Sequence, residues 1–193
     1  TRYPQRAQPP VHLIPIAVCT GSAHTSAMRG NRVADAKLDA PNGRTKKRAF
    51  ASGALTKRSG YRLLSSSALA FIISTIGFGA FFNNWLPLML SIPVLIWIGF
   101  YSFTKRFTFL CHVFLGGALA VSPLAAAIAI NPDSIPNHPE LYALAAMVLL
   151  WVAGFDIIYA LQDLDHDKSA NLNSIPAKFG WKSAIWIARL FHA

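Results

Sequence analysis

Two short segments of the sequence carry oxygen-bearing side chains at intervals of four residues. They are Asn31, Asp35 and Asp39 in the first segment and Tyr159, Asp163 and Asp167 in the second. On a helix, this spacing places three side chains on one face over two turns. Mg²⁺ takes oxygen ligands and is usually held by one or two carboxylates together with substrate phosphates. Two such segments facing each other are therefore predicted to hold Mg²⁺ over a diphosphate.

The expected chemistry is the departure of that diphosphate. A metal ion offsets the negative charge that develops on the leaving group, and a dry apolar cavity protects the carbocation left behind. Basic residues follow the first triplet as Arg44, Lys46, Lys47 and Arg48, and Lys105-Arg106 follow a later apolar segment. Arginine binds phosphate oxygens as a fork and lysine as a mobile point charge, so both groups are candidate diphosphate ligands.

Simpler interpretations exist for each feature taken alone. A basic run beside an apolar segment is typical of contact with lipid headgroups, and one acidic triplet could be a solvated helix face. Two triplets of equal spacing are harder to explain as solvated faces. Asp156, one turn before Tyr159, is a further functional candidate because it lies within an apolar segment. His112 is interpreted as a core histidine whose hydrogen bonds are satisfied.

The elements that must position these residues are apolar segments of membrane-spanning length. The 193-residue chain is 53% hydrophobic and 13% charged, with a net charge of +10. A spanning helix needs about 20 apolar residues, and four segments qualify. They are Leu63–Phe82, Trp85–Phe103, Phe107–Ile130 and Leu141–Leu161. The composition therefore predicts an all-α, multi-pass membrane protein in a lipid bilayer.

Basic and non-basic connections alternate along the chain. The stretch Arg29–Arg62 holds ten lysines and arginines, whereas Asn83–Asn84 and Asn131–Glu140 hold none. The positive-inside rule places the basic connections, and with them both acidic triplets, on the cytoplasmic side. The net charge is thus mainly a topology signal, and no nucleic-acid partner is expected.

The ends of the chain suggest an incomplete domain. Residues 1–22 are proline-containing and include only a short apolar run, so we expect an atypical segment that is disordered or foreign to the fold. Residues 23–193 are expected to form a partial domain, and Ser183–Ala193 begins like a further helix that stops after about three turns.

The polar motifs, taken in order, resemble those of the UbiA superfamily of intramembrane prenyltransferases. Asn31 to Asp39 is similar to the family's N-x-x-x-D-x-x-x-D, and Arg44 to Gly53 to its R-T-x-x-R-x-x-x-S-G. Tyr101 to Leu110 resembles Y-x-x-x-K-R-x-T-x-L, and Tyr159 to Asp167 resembles Y-x-x-x-D-x-x-x-D. Within the superfamily, the 4-hydroxybenzoate polyprenyltransferase branch is the most similar.

The resemblance implies a nine-helix fold, present here incompletely, around a central cavity. It implies Mg²⁺-dependent transfer of a polyprenyl group from its diphosphate to an aromatic acceptor, with 4-hydroxybenzoate favoured. The implied metal ligands and catalytic residues are Asp35, Asp39, Asp163 and Asp167. The implied diphosphate ligands are Asn31, Arg44, Arg48, Tyr101, Lys105 and Tyr159. Arg106 is the candidate for binding the acceptor's carboxylate.

The expected setting is ubiquinone biosynthesis in a bacterial inner membrane. Enzymes of the menaquinone, haem O or chlorophyll type are alternatives within the superfamily, and an inactive fragment of the fold is another. A transporter is the alternative outside it, but the middle of each apolar segment lacks the acidic groups that a transporter would need. Because part of the cavity wall is missing, this chain alone is expected to be weakly active or inactive.

Overall fold

The computed structural model describes residues 10–193, which form helices and turns without a strand. The α-helices are, in chain order, α1 (Leu13–Ala34), α2 (Ala36–Asp39), α3 (Lys57–Phe82), α4 (Leu86–Thr104), α5 (Cys111–Ile130), α6 (Pro139–Ala160), α7 (Leu164–Ser169) and α8 (Ile175–His192). Short 3₁₀ turns cover Pro10–His12, Pro132–Asn137 and Leu161–Asp163. The all-α prediction is confirmed.

Four of these helices are long and apolar enough to cross a membrane: α3, α4, α5 and the α6–α7 stretch Pro139–Ser169. Each contains most of one predicted apolar segment, with ends that differ by a few residues. Local signals explain the ends of α3. Thr56 accepts a hydrogen bond from the Ser59 N–H at 3.2 Å as an N-cap, and Asn83 closes the helix with a φ of 53°.

Small residues let neighbouring helices approach closely. Between α5 and α6, a Cβ built on Gly116 would lie only 2.3 Å from the carbonyl oxygen of Leu149. Between α1 and α3, the Ser26 hydroxyl donates to the Ser67 hydroxyl at 2.9 Å. Small and hydroxyl residues are what membrane helices use where hydrophobic burial adds little attraction. These contacts fix the helices that carry the acidic segments.

The N-terminal helix extends further than the sequence suggested. We expected residues 1–22 to lie outside the fold, but residues 13–22 form the first half of α1. Residues 1–9 lie outside the described part of the chain. The short apolar run gave only a weak local signal, because α1 is stabilised by packing against α3. At the start of α1, the His12 ring stacks on the Phe82 ring with the ring centroids 3.9 Å apart.

The connections fall at two ends of the bundle with different chemistry. One end carries the polar stretches 35–56, 105–110 and 161–174, and the opposite end carries 83–85 and 131–138. At the second end, the Asn84 amide donates to the carbonyl of Ile128 at 2.7 Å and so joins the connection 83–85 to the last turn of α5. Both acidic segments lie at the first end.

Each acidic segment contains a helix break at its middle aspartate. Asp35 separates α1 from α2 with φ −91° and ψ 0°, and Asp163, with φ −108° and ψ 9°, is the last residue of the 3₁₀ turn and the N-cap of α7. The predicted continuous helical face is therefore interrupted in both segments. The break turns the last aspartate of each segment away from a straight helical stack.

Candidate functional site

One cavity of about 220 Å³ lies at the polar end of the bundle and is lined by both acidic segments. The residues predicted for metal and diphosphate binding that line it are Asn31, Asp35, Asp39, Arg44, Arg48, Tyr101, Lys105, Tyr159, Asp163 and Asp167. These residues come from the ends of α1, α4 and α6 and from the segments that follow them. The fold thus brings together side chains that are up to 136 positions apart, counted from Asn31 to Asp167.

Asp35 is the most deeply buried of these carboxylates, with 1% of its surface exposed. The Lys105 Nζ donates to its Oδ2 at 2.6 Å, and the Asn31 amide donates to the same oxygen at 3.3 Å. Arg106 approaches Oδ1 at 3.4 Å. A buried carboxylate is costly unless it is paired and hydrogen-bonded, and these donors satisfy Asp35.

Asp39 is paired with a cation that follows it on the same connection. The Arg48 Nη1 donates to both carboxylate oxygens, at 3.0 Å and 2.9 Å. The Thr45 hydroxyl donates to the Asp39 backbone carbonyl at 3.2 Å, which holds the connection against the carboxylate. The last arginine of the R-T-x-x-R motif, Arg48, therefore places its guanidinium against the carboxylate of Asp39 in the first acidic segment.

Asp163 is held by the same connection from the other side of the cavity. Arg44 grips its two oxygens as a fork, with Nε 2.9 Å from Oδ1 and Nη2 on Oδ2. The Asn42 amide also donates to Oδ1 at 2.9 Å, and the Arg44 Nη1 donates to the Tyr159 hydroxyl at 2.7 Å. The hydrogen bond to Asp163 raises the pKa of the Arg44 guanidinium, so this group is always charged.

Asp167 differs from the other three carboxylates. Among the residues that the structure describes, it makes no ion pair, and the Ser174 hydroxyl donates to its Oδ2 at 2.8 Å. Ser174 is itself the N-cap of α8 and accepts from the Ala177 N–H at 3.3 Å. The start of α8 therefore positions the last carboxylate of the second segment.

The donor set fits Mg²⁺ in its chemistry, since four carboxylates line one cavity. Over the described residues, no group of three or more His, Cys, Asp or Glu side chains is close enough to enclose a metal ion by itself. Mg²⁺ commonly keeps several waters and takes only one or two carboxylates beside substrate phosphates, so a closed protein cage is not required. Residues that would hold such an ion are Asp35, Asp39, Asp163 and Asp167.

Arg106 contacts Asp35 from outside the cavity. It does not line the cavity, and its guanidinium donates to the Ala34 carbonyl at 2.8 Å and stacks 5.0 Å from the Phe103 ring centre. In this position it caps the end of α1. Its expected contact with an acceptor carboxylate stays a prediction.

The inner end of the cavity contains the motif residue Tyr101 together with polar residues that are not motif positions. Tyr101, Ser102, His112 and Asp156 line it together with Leu115. The His112 Nδ1 lies 2.7 Å from the Asp156 Oδ2, so the histidine has a hydrogen-bond partner, as predicted for a core histidine. That partner is a carboxylate. Asp156 was a lesser candidate, and its position i−3 from Tyr159 was the signal that it shares the cavity face.

Two supporting residues, Asn42 and Ser174, were missed in the sequence. Each donates to a motif carboxylate from a connection rather than from a motif position. The segment Ser174-Ile175-Pro176 did carry a local signal, because serine followed by proline at the second helical position is typical of a helix start. Nothing in the sequence near Asn42 indicated its partner.

The fold and the cavity define a class of protein: an all-α, multi-pass membrane protein with paired acidic segments and basic side chains at one end of its bundle. The chain belongs to the UbiA prenyltransferase family, whose family model matches residues 3–193. It is therefore an integral membrane protein.

Relatives with assigned activities are similar over most of this chain. A 4-hydroxybenzoate octaprenyltransferase of Citrobacter koseri is 33% identical over 151 residues, which are 78% of this chain and 49% of the relative. A 4-hydroxybenzoate octaprenyltransferase of Methylococcus capsulatus is 30% identical over 153 residues, which are 78% of this chain and 49% of the relative. The chain thus spans about half the length of the curated relatives it matches.

A solved structure supports the fold directly. The apo structure of a UbiA homologue from Aeropyrum pernix K1 superposes with a TM-score of 0.86 and 32% sequence identity. The match covers 99% of this chain and 68% of that one. The arrangement of helices described above is therefore that of the family.

Proposed function

We propose that the protein transfers a polyprenyl group from polyprenyl diphosphate to an aromatic acceptor, with 4-hydroxybenzoate as the preferred acceptor. The observation that carries this proposal is the convergence of both acidic segments and three basic side chains, Arg44, Arg48 and Lys105, on one cavity. The similarity to 4-hydroxybenzoate octaprenyltransferases supports the choice of acceptor. Ubiquinone biosynthesis is the corresponding pathway.

The proposed reaction forms one carbon–carbon bond. The bond between the first prenyl carbon and the diphosphate oxygen breaks, and the diphosphate keeps the electron pair. A ring carbon of the acceptor supplies two electrons to the prenyl carbocation, and that ring carbon then gives up its proton to the released diphosphate or to water. The protein's task is to stabilise the charge of the leaving diphosphate and to orient the ring.

Magnesium, when bound, would supply charge neutralisation at the diphosphate. The chain's own cations would do the same from fixed positions. Lys105, Arg48 and Arg44 are each paired with a motif carboxylate here, and a diphosphate with its metal offers both members of each pair a new partner. Tyr159 and Asn31 lie beside these pairs and would donate to phosphate oxygens.

The basic connections support a proposed orientation in the membrane. The polar end of the bundle, which carries the cavity, is proposed to face the cytoplasm of a bacterial inner membrane. A water-soluble diphosphate headgroup and Mg²⁺ would reach the cavity from that side, while the prenyl chain would lie among the apolar helices.

The test uses the chain reconstituted in lipid nanodiscs. Farnesyl thiodiphosphate, a slowly reacting analogue, is expected to bind with Mg²⁺ and not with EDTA. Labelled farnesyl diphosphate is then offered with 4-hydroxybenzoate, a naphthoate or haem, which separates the branches of the family. Binding that is equally strong without a divalent cation would contradict the proposal, as would prenylation of haem alone.

A further inference from the structure

The His112–Asp156 pair is a buried polar couple that the diphosphate site does not use. Only 2% of His112 is exposed, whereas 29% of the Asp156 side chain is open where it lines the inner end of the cavity. An ionisable residue within a membrane helix is expensive and is retained where it has a function. The pair therefore requires an explanation beyond packing.

The hydrogen bonds of the ring fix its tautomer. The Ile175 backbone N–H donates to the His112 Nε2 at 3.2 Å, so Nε2 is an acceptor and carries no proton. The proton is then on Nδ1, which donates to the Asp156 Oδ2 at 2.7 Å. Within the described chain, Asp156 Oδ1 makes no hydrogen bond to another residue. This oxygen is available to a donor in the cavity.

The two ends of the cavity thus select opposite chemistry. The outer end presents the cations Arg44, Arg48 and Lys105, whereas the inner end presents the Asp156 carboxylate beside the hydroxyls of Tyr101 and Ser102. A carboxylate repels an anionic ligand group and binds a hydroxyl donor. The outer cations are proposed to bind the diphosphate, so the ligand whose hydroxyl can reach Asp156 at the inner end is the aromatic acceptor.

We propose that Asp156 binds the hydroxyl of the aromatic acceptor and that His112 is its positioning residue. The histidine orients the carboxylate and ties it to Ile175, the first residue of α8. The neighbouring Ser174 holds Asp167, so the start of α8 sets the acceptor subsite and the metal-binding segment together. This inference rests on the proposed function and concerns the ground-state binding of the acceptor, with no proton transferred.

The experiment compares the dissociation constants of 4-hydroxybenzoate and benzoate, measured by calorimetry on the chain in nanodiscs. The wild type is expected to bind the hydroxylated acid at least tenfold more tightly. Asp156→Asn and His112→Phe should each reduce this preference to about twofold. His112→Gln, whose amide both donates and accepts, should restore most of it. His24→Phe, on the exposed face of α1, is the matched control and should leave the preference unchanged.

A double variant distinguishes positioning from general damage. If His112 acts through Asp156, the double change His112→Phe with Asp156→Asn is no worse than either single change. Gel filtration and apparent melting temperature report on folding. Should His112→Phe fail to fold, the near-isosteric Asp156→Asn tests the same contact without it. A hydroxyl preference that survives in Asp156→Asn, or in folded His112→Phe, overturns the inference.

The outcomes also separate this inference from the proposed function. A wild type that binds farnesyl thiodiphosphate with Mg²⁺ but does not distinguish the two acids defeats the inference alone. A wild type that binds neither the diphosphate analogue nor either acid defeats the proposed function, and the inference with it.

Discussion

The Lys105 Nζ lies 2.6 Å from the Asp35 Oδ2, although the two residues are 70 positions apart in the chain. This ion pair joins the end of α4 to the break that ends α1. Asp35 is almost fully buried, while the Lys105 side chain is 30% exposed toward the cavity. The ion pair therefore connects α4 to α1, and its Lys105 ammonium group remains within reach of a ligand in the cavity.

Replacing Lys105 with methionine should destabilise the protein. The change leaves the buried Asp35 carboxylate with only the Asn31 amide and the longer Arg106 contact. Because these two donors compensate the buried charge only in part, the loss is expected to be about 2–3 kcal/mol. For a domain of this size, that corresponds to a fall of roughly 5–10 °C in melting temperature. Thermal unfolding in detergent micelles measures it.

A second change tests the cause of that loss. Adding Asp35→Asn to Lys105→Met removes the orphaned charge and should recover about half of the lost stability. Lys168→Met, at an exposed lysine of α7, is the control and should leave the melting temperature within about 1–2 °C. If the double variant is less stable than Lys105→Met, the unpaired Asp35 is not the reason for the loss.

Replacing Arg44 with glutamine should loosen the connection between α2 and α3. Arg44 anchors this connection to Asp163 and Tyr159, and partly exposed charged hydrogen bonds of this kind contribute about 1–2 kcal/mol. Amide exchange in residues 40–56 should therefore accelerate roughly 5- to 30-fold. Lys46→Gln, an exposed neighbour, should show wild-type exchange. Unchanged protection in the Arg44 variant would mean that the backbone alone holds the connection.

Replacing Asp167 with asparagine should weaken Mg²⁺-dependent binding of farnesyl thiodiphosphate by at least about tenfold, because a neutral amide is a poorer ligand for a hard divalent ion. The Asp167 carboxylate accepts a hydrogen bond from the Ser174 hydroxyl and makes no ion pair within the described structure. The substitution to asparagine therefore breaks no ion pair there. The matched control is Asp165→Asn, at an exposed carboxylate that does not line the cavity. Equal weakening by both variants would indicate a general charge effect.

Replacing Gly116 with alanine should push α5 and α6 apart. The added methyl group would meet the Leu149 carbonyl oxygen at 2.3 Å, which is backbone and cannot turn aside. Overpacking of this kind costs about 1–3 kcal/mol, or several degrees in melting temperature. Gly117→Ala is the adjacent control, since its Cβ would meet only the Trp97 ring at 3.4 Å. Equal effects of the two changes would contradict this account of the interface.

The spanning helices were predictable because hydropathy and length determine them. Leu63–Phe82 lies wholly within α3, and Leu141–Leu161 matches α6 to within two residues at its start. The first half of α1 was not predictable, since its helix depends on packing against α3 rather than on its own composition. Long-range packing of this kind leaves no local pattern.

The sequence predicted which residues line the candidate site, but it did not predict which cation pairs with which carboxylate. Four-residue spacing selected the carboxylates, yet the breaks at Asp35 and Asp163 arise where helices end in tertiary contacts. Which cation pairs with which carboxylate depends on how the connection 40–56 returns to the cavity. The roles of Asn42 and Ser174 follow from that path and could not be read from spacing.

The contrast between the two ends of the bundle has an electrical consequence. The connections at 35–56 and 105–110 carry lysines and arginines, whereas 83–85 and 131–138 carry none. Moving one elementary charge through a membrane voltage of about 100 mV changes its free energy by about 2.3 kcal/mol. A molecule inserted opposite to the proposed orientation would hold each of those charges on the unfavourable side of this field. The residues proposed to bind a diphosphate would thus also favour the proposed orientation of the protein in the membrane.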